Sequence, residues 1–117
     1  MQHVELPFID NLRVDQSKVV GYLLSEAIGR GKAAFFVRLG FRPDAWERLA
    51  DALKAQARGN PVTSTVDSPY GRRYSVDGEM ETPDDRRPRP RVRTVWILEA
   101  GSQAPRLITA HPVQERS

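Results

Sequence analysis

"VRTVWILEAGSQAPRLITAHP", residues 92–112, contains two β-strand patterns joined by a glycine-containing turn. Apolar and polar residues alternate on both sides of this turn, as they do in the strands of an antiparallel hairpin. Arg93 and His111 lie at opposite sequence ends of these strands, which is the same end of the hairpin in space. We therefore expect Thr94 and Thr109 to gather with them at the open end, in a register that the sequence does not determine.

Alternation also predicts which residues of the hairpin share a face. On the first strand Thr94 lies with Trp96, and on the second strand Leu107 lies with Thr109 and His111. Trp96 stands in mid-strand among apolar neighbours and is expected to be buried. Neither face is wholly polar, so we expect a sheet that is covered near its centre and polar at one end.

The residues before this hairpin predict helices first and strands second. Apolar spacing of about 3.6 residues indicates three helices, each ended by glycine or proline. We expect them from a Ser17 cap through Ile28, from Lys32 to Leu39 with Gly40 as the C-terminal cap, and from Pro43 to a stop at Gly59. β-branched and aromatic residues then predict strands over 62–66 and 72–80, with a turn over 68–71.

This order of elements is typical of an α+β fold, with N-terminal helices packed on an antiparallel sheet of about four strands. A length of 117 residues indicates a single domain with one core. Within residues 1–117 we expect an extended segment over 1–16, a helical part over 17–60, the sheet over 61–112 and a tail over 113–117.

Composition excludes several classes of protein. The chain has no cysteine, which excludes disulfides and thiolate chemistry. Its start lacks a secretory pattern, and no apolar run approaches the roughly 20 residues that span a bilayer. No HExxH motif or Cys/His cluster is present, so neither a metal nor another cofactor is expected. We expect a cytoplasmic protein that does not contact the membrane.

An arginine-rich stretch, "RRPRPRVR", occupies residues 86–93 and holds five arginines in eight residues. Such a stretch attracts phosphate, so Arg91 is predicted to contact nucleic acid. The alternative is a solvated loop that charge keeps soluble, because the acidic "PDD" of residues 83–85 partly neutralises the arginines.

A second polar group combines tyrosines with arginines at the predicted turn. Tyr70, Arg72, Arg73 and Tyr74 are candidates for stacking on bases and holding phosphates. The alternative is a hairpin that buries one tyrosine in the core and leaves its arginines in water.

Lys32 and His111 are the other candidates for chemistry. Lys32 follows two glycines at the start of a helix, where phosphate can bind, although the spacing is not that of a P-loop. A histidine at a strand end can transfer protons near neutral pH. The alternatives are ordinary helix packing for Lys32 and a strand terminator before Pro112 for His111.

Four segments together resemble one family of small bacterial proteins, described as domain of unknown function 6883. The resemblance covers residues 6–112 and is carried by "GYLLSEAIGRGKAAFFVRLGF", "SPYGRRYSVDG", "VRTVWILEAG" and "PRLITAHP". Its matching positions are Lys32, Tyr70, Arg72 or Arg73, Tyr74, Thr94, Thr109 and the position of His111. This chain has His111 where the family commonly has tyrosine, and Ala27-Ile28 where it often has His-Pro.

The resemblance implies a toxin module, either one half of a toxin–antitoxin pair or the end of a polymorphic toxin. Its order of elements is also similar to that of the barnase, EndoU, colicin and RelE ribonucleases. The expected partners are therefore RNA and a small acidic antitoxin or immunity protein encoded nearby.

The polar residues of the chain suit metal-independent cleavage, in which the 2′-hydroxyl of RNA attacks the phosphate. Arg93 and Lys32 are predicted to hold the phosphate, His111 to move a proton with Thr109 orienting it, and Tyr70 or Tyr74 to stack a base or donate a second proton. The alternatives are a non-catalytic RNA- or protein-binding module and a gyrase-directed toxin.

Overall fold

Three helices precede a four-stranded antiparallel sheet in the computed structural model, which describes residues 4–25 and 30–113. The helices are α1 (Gln16–Lys18), which continues into a π turn (Val19–Leu23), α2 (Arg30–Arg38) and α3 (Trp46–Arg58). The strands are β1 (Val62–Ser68), β2 (Gly71–Glu79), β3 (Arg91–Leu98) and β4 (Arg106–Pro112), paired in the order β1-β2-β3-β4. The α+β prediction is confirmed. No helix in the described ranges is long and apolar enough to cross a membrane.

The first helix differs from its prediction. Asp15 rather than Ser17 stands at the N-cap position, and the helix passes into a π turn in which Leu24 N–H donates to Val19 O over 2.8 Å. Gly21 weakens a regular helix at this point, and the wider turn still buries Leu23. The predicted end of the helix, at residues 27–28, lies outside the described residues.

The second helix ends as predicted, at Gly40. The glycine has a φ of 99°, its N–H donates to Val37 O, and the next N–H, that of Phe41, donates to Phe36 O. These two bonds form a Schellman cap, and the Phe36 and Phe41 rings contact each other beside it. The helix begins at Arg30, two residues before the predicted start at Lys32.

The sheet has two faces with different roles. Its inner face packs on α3 and carries the buried side chains of Tyr74, Val76, Thr94, Trp96 and Leu107. Its outer face carries Arg73, Ser75, Asp77, Arg93, Val95, Thr109 and His111. The predicted burial of Trp96 is confirmed, since none of its surface is exposed.

A β-bulge in β4 corrects the predicted alternation. Val95 pairs with Thr109, but the next residue, Trp96, pairs with Leu107, so Ile108 is an extra residue. A bulge of this kind changes which side chains share a face. Leu107 therefore enters the core, whereas Thr109 remains on the outer face.

A buried polar network joins the inner face to α3. Trp96 Nε1 donates to Thr94 Oγ1 over 2.8 Å, and the Thr94 hydroxyl donates to Gln56 Oε1 over 2.8 Å. Gln56 Nε2 donates in turn to the carbonyl oxygens of Val76 and Val92. Each polar group of these three side chains has a partner, so the network stabilises the packing of α3 on β2 and β3.

The N-terminal segment contacts both edges of the sheet. At the β1 edge, Val62 N–H donates to Val4 O over 2.7 Å. At the β4 edge, Arg13 forms a parallel bridge with Arg106, and Leu107 N–H donates to Arg13 O over 2.9 Å. Between these contacts the segment is extended apart from one 3-10 turn (Ile9–Asn11), and Leu6 is buried.

Candidate functional site

Three polar residues form a row across the outer face. Asp77 pairs with Arg93, and Arg93 pairs with His111, on the neighbouring strands β2, β3 and β4. Arg93 donates from Nε to Asp77 Oδ1 over 2.6 Å and from Nη2 to Asp77 Oδ2 over 2.8 Å. The structure thus brings Arg93 and His111 together, as the hairpin pattern predicted. It also places beside Arg93 the carboxylate of Asp77, a residue that was not among the predicted site residues.

This row is electrostatically coupled. The Arg93 guanidinium holds the pKa of Asp77 below its usual value, and Asp77 raises the pKa of Arg93. His111 Nδ1 lies 3.2 Å from Pro112 O, which can only accept, so this contact involves Nδ1 and not Nε2. In the described part of the chain, no group of three or more His, Asp or Glu side chains is placed to hold a metal ion.

A second polar group lies where the π turn passes β4. Lys32 Nζ, at the start of α2, donates to the Tyr22 hydroxyl over 2.9 Å. The same amine lies 5.1 Å from the centre of the Tyr22 ring, and Lys18 Nζ lies 5.0 Å from it. The hydrogen bond from Lys32 is the main cause of a lowered Tyr22 pKa, to which Thr109 and the charge of Lys18 add. We call Tyr22, Lys32, Lys18 and Thr109 the Tyr22 cluster.

Thr109 connects the Tyr22 cluster to the row. Its hydroxyl is near enough to the Tyr22 phenol to lower that pKa, yet Oγ1 is buried without a partner in hydrogen-bonding geometry. Thr109 and His111 are two residues apart on the outer face, which corresponds to about 7 Å along a strand. An open cavity of about 450 Å³ begins at His111 and is bounded by Arg93, Pro112 and Val113.

The sequence analysis did not select Tyr22, although a signal was present. Tyr22 stands four residues after Lys18, a spacing that brings side chains together on a helix. It also belongs to the "GYLL" segment that carries the family resemblance. Its contact with Lys32 depends on the position of α2 relative to β4, and local sequence does not determine that position.

Two of the predicted nucleic-acid-binding residues lie in the core. Thr94 is wholly buried on the inner face, where its hydroxyl belongs to the network with Gln56 and Trp96. Tyr74 is 9% exposed on the same face. Both alternate with outer-face residues, so neither side chain is placed to contact RNA beside His111.

Tyr70, Arg72 and Arg73 lie at the other end of the sheet from His111. Tyr70 is in the β1–β2 turn and is 74% exposed. Arg72 forms an ion pair with Asp67, at 2.7 Å. Arg73 is exposed on the outer face, where it pairs with Ile97. The predicted site residues therefore lie at two ends of the sheet and on both of its faces.

The arginine-rich stretch is largely neutralised by nearby carboxylates. Arg86 and Arg87 each form an ion pair at 3.1 Å with the acidic residue two positions earlier, and Arg89 lies 4.0 Å from Glu81. Arg91 is exposed and stands opposite Glu79 in the strand register. This arrangement fits the alternative of a solvated loop better than that of a basic patch.

Comparison with known proteins identifies the family. A family model described as Domain of unknown function (DUF6883) matches residues 5–114. No curated protein and no solved structure matches the chain. The likeness to barnase-type and RelE-type ribonucleases therefore stays a prediction. Because the family model spans nearly the whole chain, this protein belongs to the DUF6883 family.

Proposed function

We propose that this chain is a toxin-type endoribonuclease that cleaves RNA in the cytoplasm without a metal ion. One observation carries the proposal: the 2.9 Å hydrogen bond from Lys32 to a Tyr22 phenol of lowered pKa, which lies beside Thr109 of the strand that carries His111. A phenol with a lowered pKa is a competent general base, and a histidine is a competent proton donor. The lysines beside them can neutralise a phosphate.

The chemistry is transfer of the phosphate to the neighbouring 2′-oxygen of RNA. The 2′-oxygen forms a bond to phosphorus while the bond from phosphorus to the 5′-oxygen breaks. Tyr22, as the phenolate, accepts the proton of the 2′-hydroxyl, and His111 gives a proton to the departing 5′-oxygen. The products are a 2′,3′-cyclic phosphate and a 5′-hydroxyl, so neither water nor a metal is consumed in this step.

The remaining residues stabilise the charge that grows on the phosphate oxygens. Lys32 and Arg93 supply positive charge, and the buried Thr109 hydroxyl lies beside the Tyr22 phenol and helps to hold it in place. In the sequence prediction Tyr70 or Tyr74 was to stack a base or donate a second proton, whereas here Tyr22 is proposed as the proton acceptor.

One observation favours a second function, binding of RNA or protein without catalysis. Arg93 is already bonded to both oxygens of Asp77, which reduces the charge that it can offer to a transition state. On this alternative the outer face would recognise a ligand and leave it intact.

A toxin requires a partner that silences it, and we propose a small acidic protein encoded nearby. The Tyr22 cluster contains the cations Lys18 and Lys32, and Arg73 adds a third on the outer face, so acidic side chains would complement this surface. Co-expression with the neighbouring gene and size-exclusion chromatography test this. Separate elution, with growth arrest unchanged, would refute the partner.

Cleavage in EDTA tests the catalytic proposal. We expect the parent to cut RNA into fragments with cyclic phosphate ends, and Tyr22→Phe to lower kcat by about 10²- to 10⁴-fold because the general base is lost. Tyr74→Phe is the matched control, since it removes a hydroxyl from the inner face and should leave the rate unchanged.

The pH profile separates a base from a structural tyrosine. If Tyr22 acts as the phenolate, activity rises as pH passes through its pKa, which Lys32 lowers. Lys32→Met should move this rise to higher pH, towards about 10, the value of a free tyrosine. An unshifted profile in Lys32→Met, or full activity in Tyr22→Phe, would refute the assignment.

A further inference from the structure

We infer that the outer face carries a base-stacking subsite at its Tyr70 end, so that the ligand is a single-stranded RNA long enough to reach both ends. The inference rests on the proposed function, because it concerns the same RNA. It starts from a cavity of about 350 Å³ between the β1–β2 turn and α1, lined by Lys18, Tyr70, Arg73, Ile97, Glu99, Arg106 and Ile108.

The cavity has the composition of a nucleotide-binding surface. Tyr70 is 74% exposed, so its ring contributes little to the core and presents area for stacking. Ile97, which is 4% exposed, and the half-buried Ile108 supply an apolar floor beside it. A base that stacks on Tyr70 would cover this floor, whereas a duplex keeps its base faces hidden.

The charge of the cavity suits a phosphate backbone. Lys18 and Arg73 have no carboxylate within 4.0 Å among residues 4–25 and 30–113, whereas Arg106 is paired with Glu99 at 3.0 Å. Two cations therefore remain for phosphates next to the exposed ring. This combination of aromatic and cationic side chains binds single strands with little dependence on sequence.

Lys18 makes the subsite continuous with the Tyr22 cluster. It lines the cavity with Tyr70, and its amine lies 5.0 Å from the centre of the Tyr22 ring. Along β2, Arg73 lies four positions before Asp77 of the row on the outer face, a distance of about 13 Å along the strand. One nucleotide cannot cover this distance and stack on Tyr70, so a longer strand should bind more tightly.

The test measures binding without cleavage. A fluorescein-labelled single-stranded DNA of about ten nucleotides lacks the 2′-hydroxyl, so its Kd reports binding alone. We expect Tyr70→Ala to raise the Kd by about 5- to 150-fold, and Tyr70→Phe to keep the parent's value. Arg73→Ala should reduce the slope of log K against log salt by about 0.7. Arg48→Ala, on the exposed side of α3, is the matched control and should change neither value.

The outcomes separate the subsite from the proposed catalysis. The subsite is overturned if the parent does not bind the strand, if Tyr70→Ala binds as the parent does, or if a duplex binds equally well. Binding that depends on Tyr70, in a protein that leaves RNA intact, supports the subsite and refutes the cleavage. Cleavage of long RNA at an unchanged kcat/KM in Tyr70→Ala supports the cleavage and refutes the subsite.

Discussion

Replacing Thr94 by valine removes one buried hydroxyl and keeps the shape of the side chain. In the folded protein Trp96 Nε1 then loses its acceptor, and Gln56 Oε1 loses its donor. An unpartnered buried polar group costs about 1–3 kcal/mol, so the two together cost about 2–6 kcal/mol. The added methyl group returns about 0.8 kcal/mol. The expected net loss in the free energy of unfolding is about 1–5 kcal/mol.

Thermal unfolding followed by circular dichroism measures this loss. For a chain of 117 residues, the typical unfolding entropy converts it into a fall in Tm of roughly 4–20 °C. Thr94→Ser keeps the hydroxyl and should lose about 1 kcal/mol through its missing methyl group. Thr65→Val, an exposed threonine on β1, is the control and should change stability by no more than about 0.5 kcal/mol.

Binding to the labelled strand decides between the two roles of Thr94. At a temperature at which each variant is folded, we expect Thr94→Val to bind as tightly as the parent, because the side chain faces α3. A valine variant as stable as the parent but weaker in binding would refute the structural role and restore the predicted contact with nucleic acid.

Two further predictions concern the row on the outer face. His111→Ala should lower the rate of RNA cleavage by about 10²- to 10⁴-fold and leave the affinity for the labelled strand unchanged. His111→Tyr should retain more activity than the alanine variant, because a tyrosine can donate to a phosphate oxygen. An alanine variant as fast as the parent would show that His111 only ends β4. Arg93 lowers the pKa of Asp77, so the stabilisation from this pair is complete above about pH 4 and is lost as pH falls through the folded value. Asp77→Asn should therefore reduce Tm at pH 7 by more than at about pH 3, and an equal reduction at both pH values would contradict this coupling.

The sheet could be predicted from sequence because its signals are local. Alternation marks the strands of residues 62–112, and the short turn between β1 and β2 requires antiparallel pairing. α3 could be predicted for a similar reason, since its apolar spacing persists over several turns. The π turn (Val19–Leu23) was not predictable, because its geometry follows from packing of Leu23 in a core that distant residues complete.

The site was predictable only where it lies within one hairpin. Pairing of Arg93 with His111 follows from the two strands alone. The burial of Thr94 depends on which face α3 covers, and the separation of Leu107 from Thr109 depends on a bulge that alternation cannot show. The contact of Tyr22 with Thr109 required the most information, because it joins segments from opposite parts of the chain.

The contacts of the N-terminal segment determine how early in translation the fold can be completed. Its contact at Arg13 requires Arg106 and Leu107 of β4, and the neighbouring Tyr22 cluster requires Thr109 of the same strand. A nascent chain has neither contact until β4 has been translated. The proposed RNA-cleaving site is therefore incomplete on any nascent chain whose β4 is still being synthesised. Such a chain does not yet have the residues with which to cut the messenger RNA that encodes it.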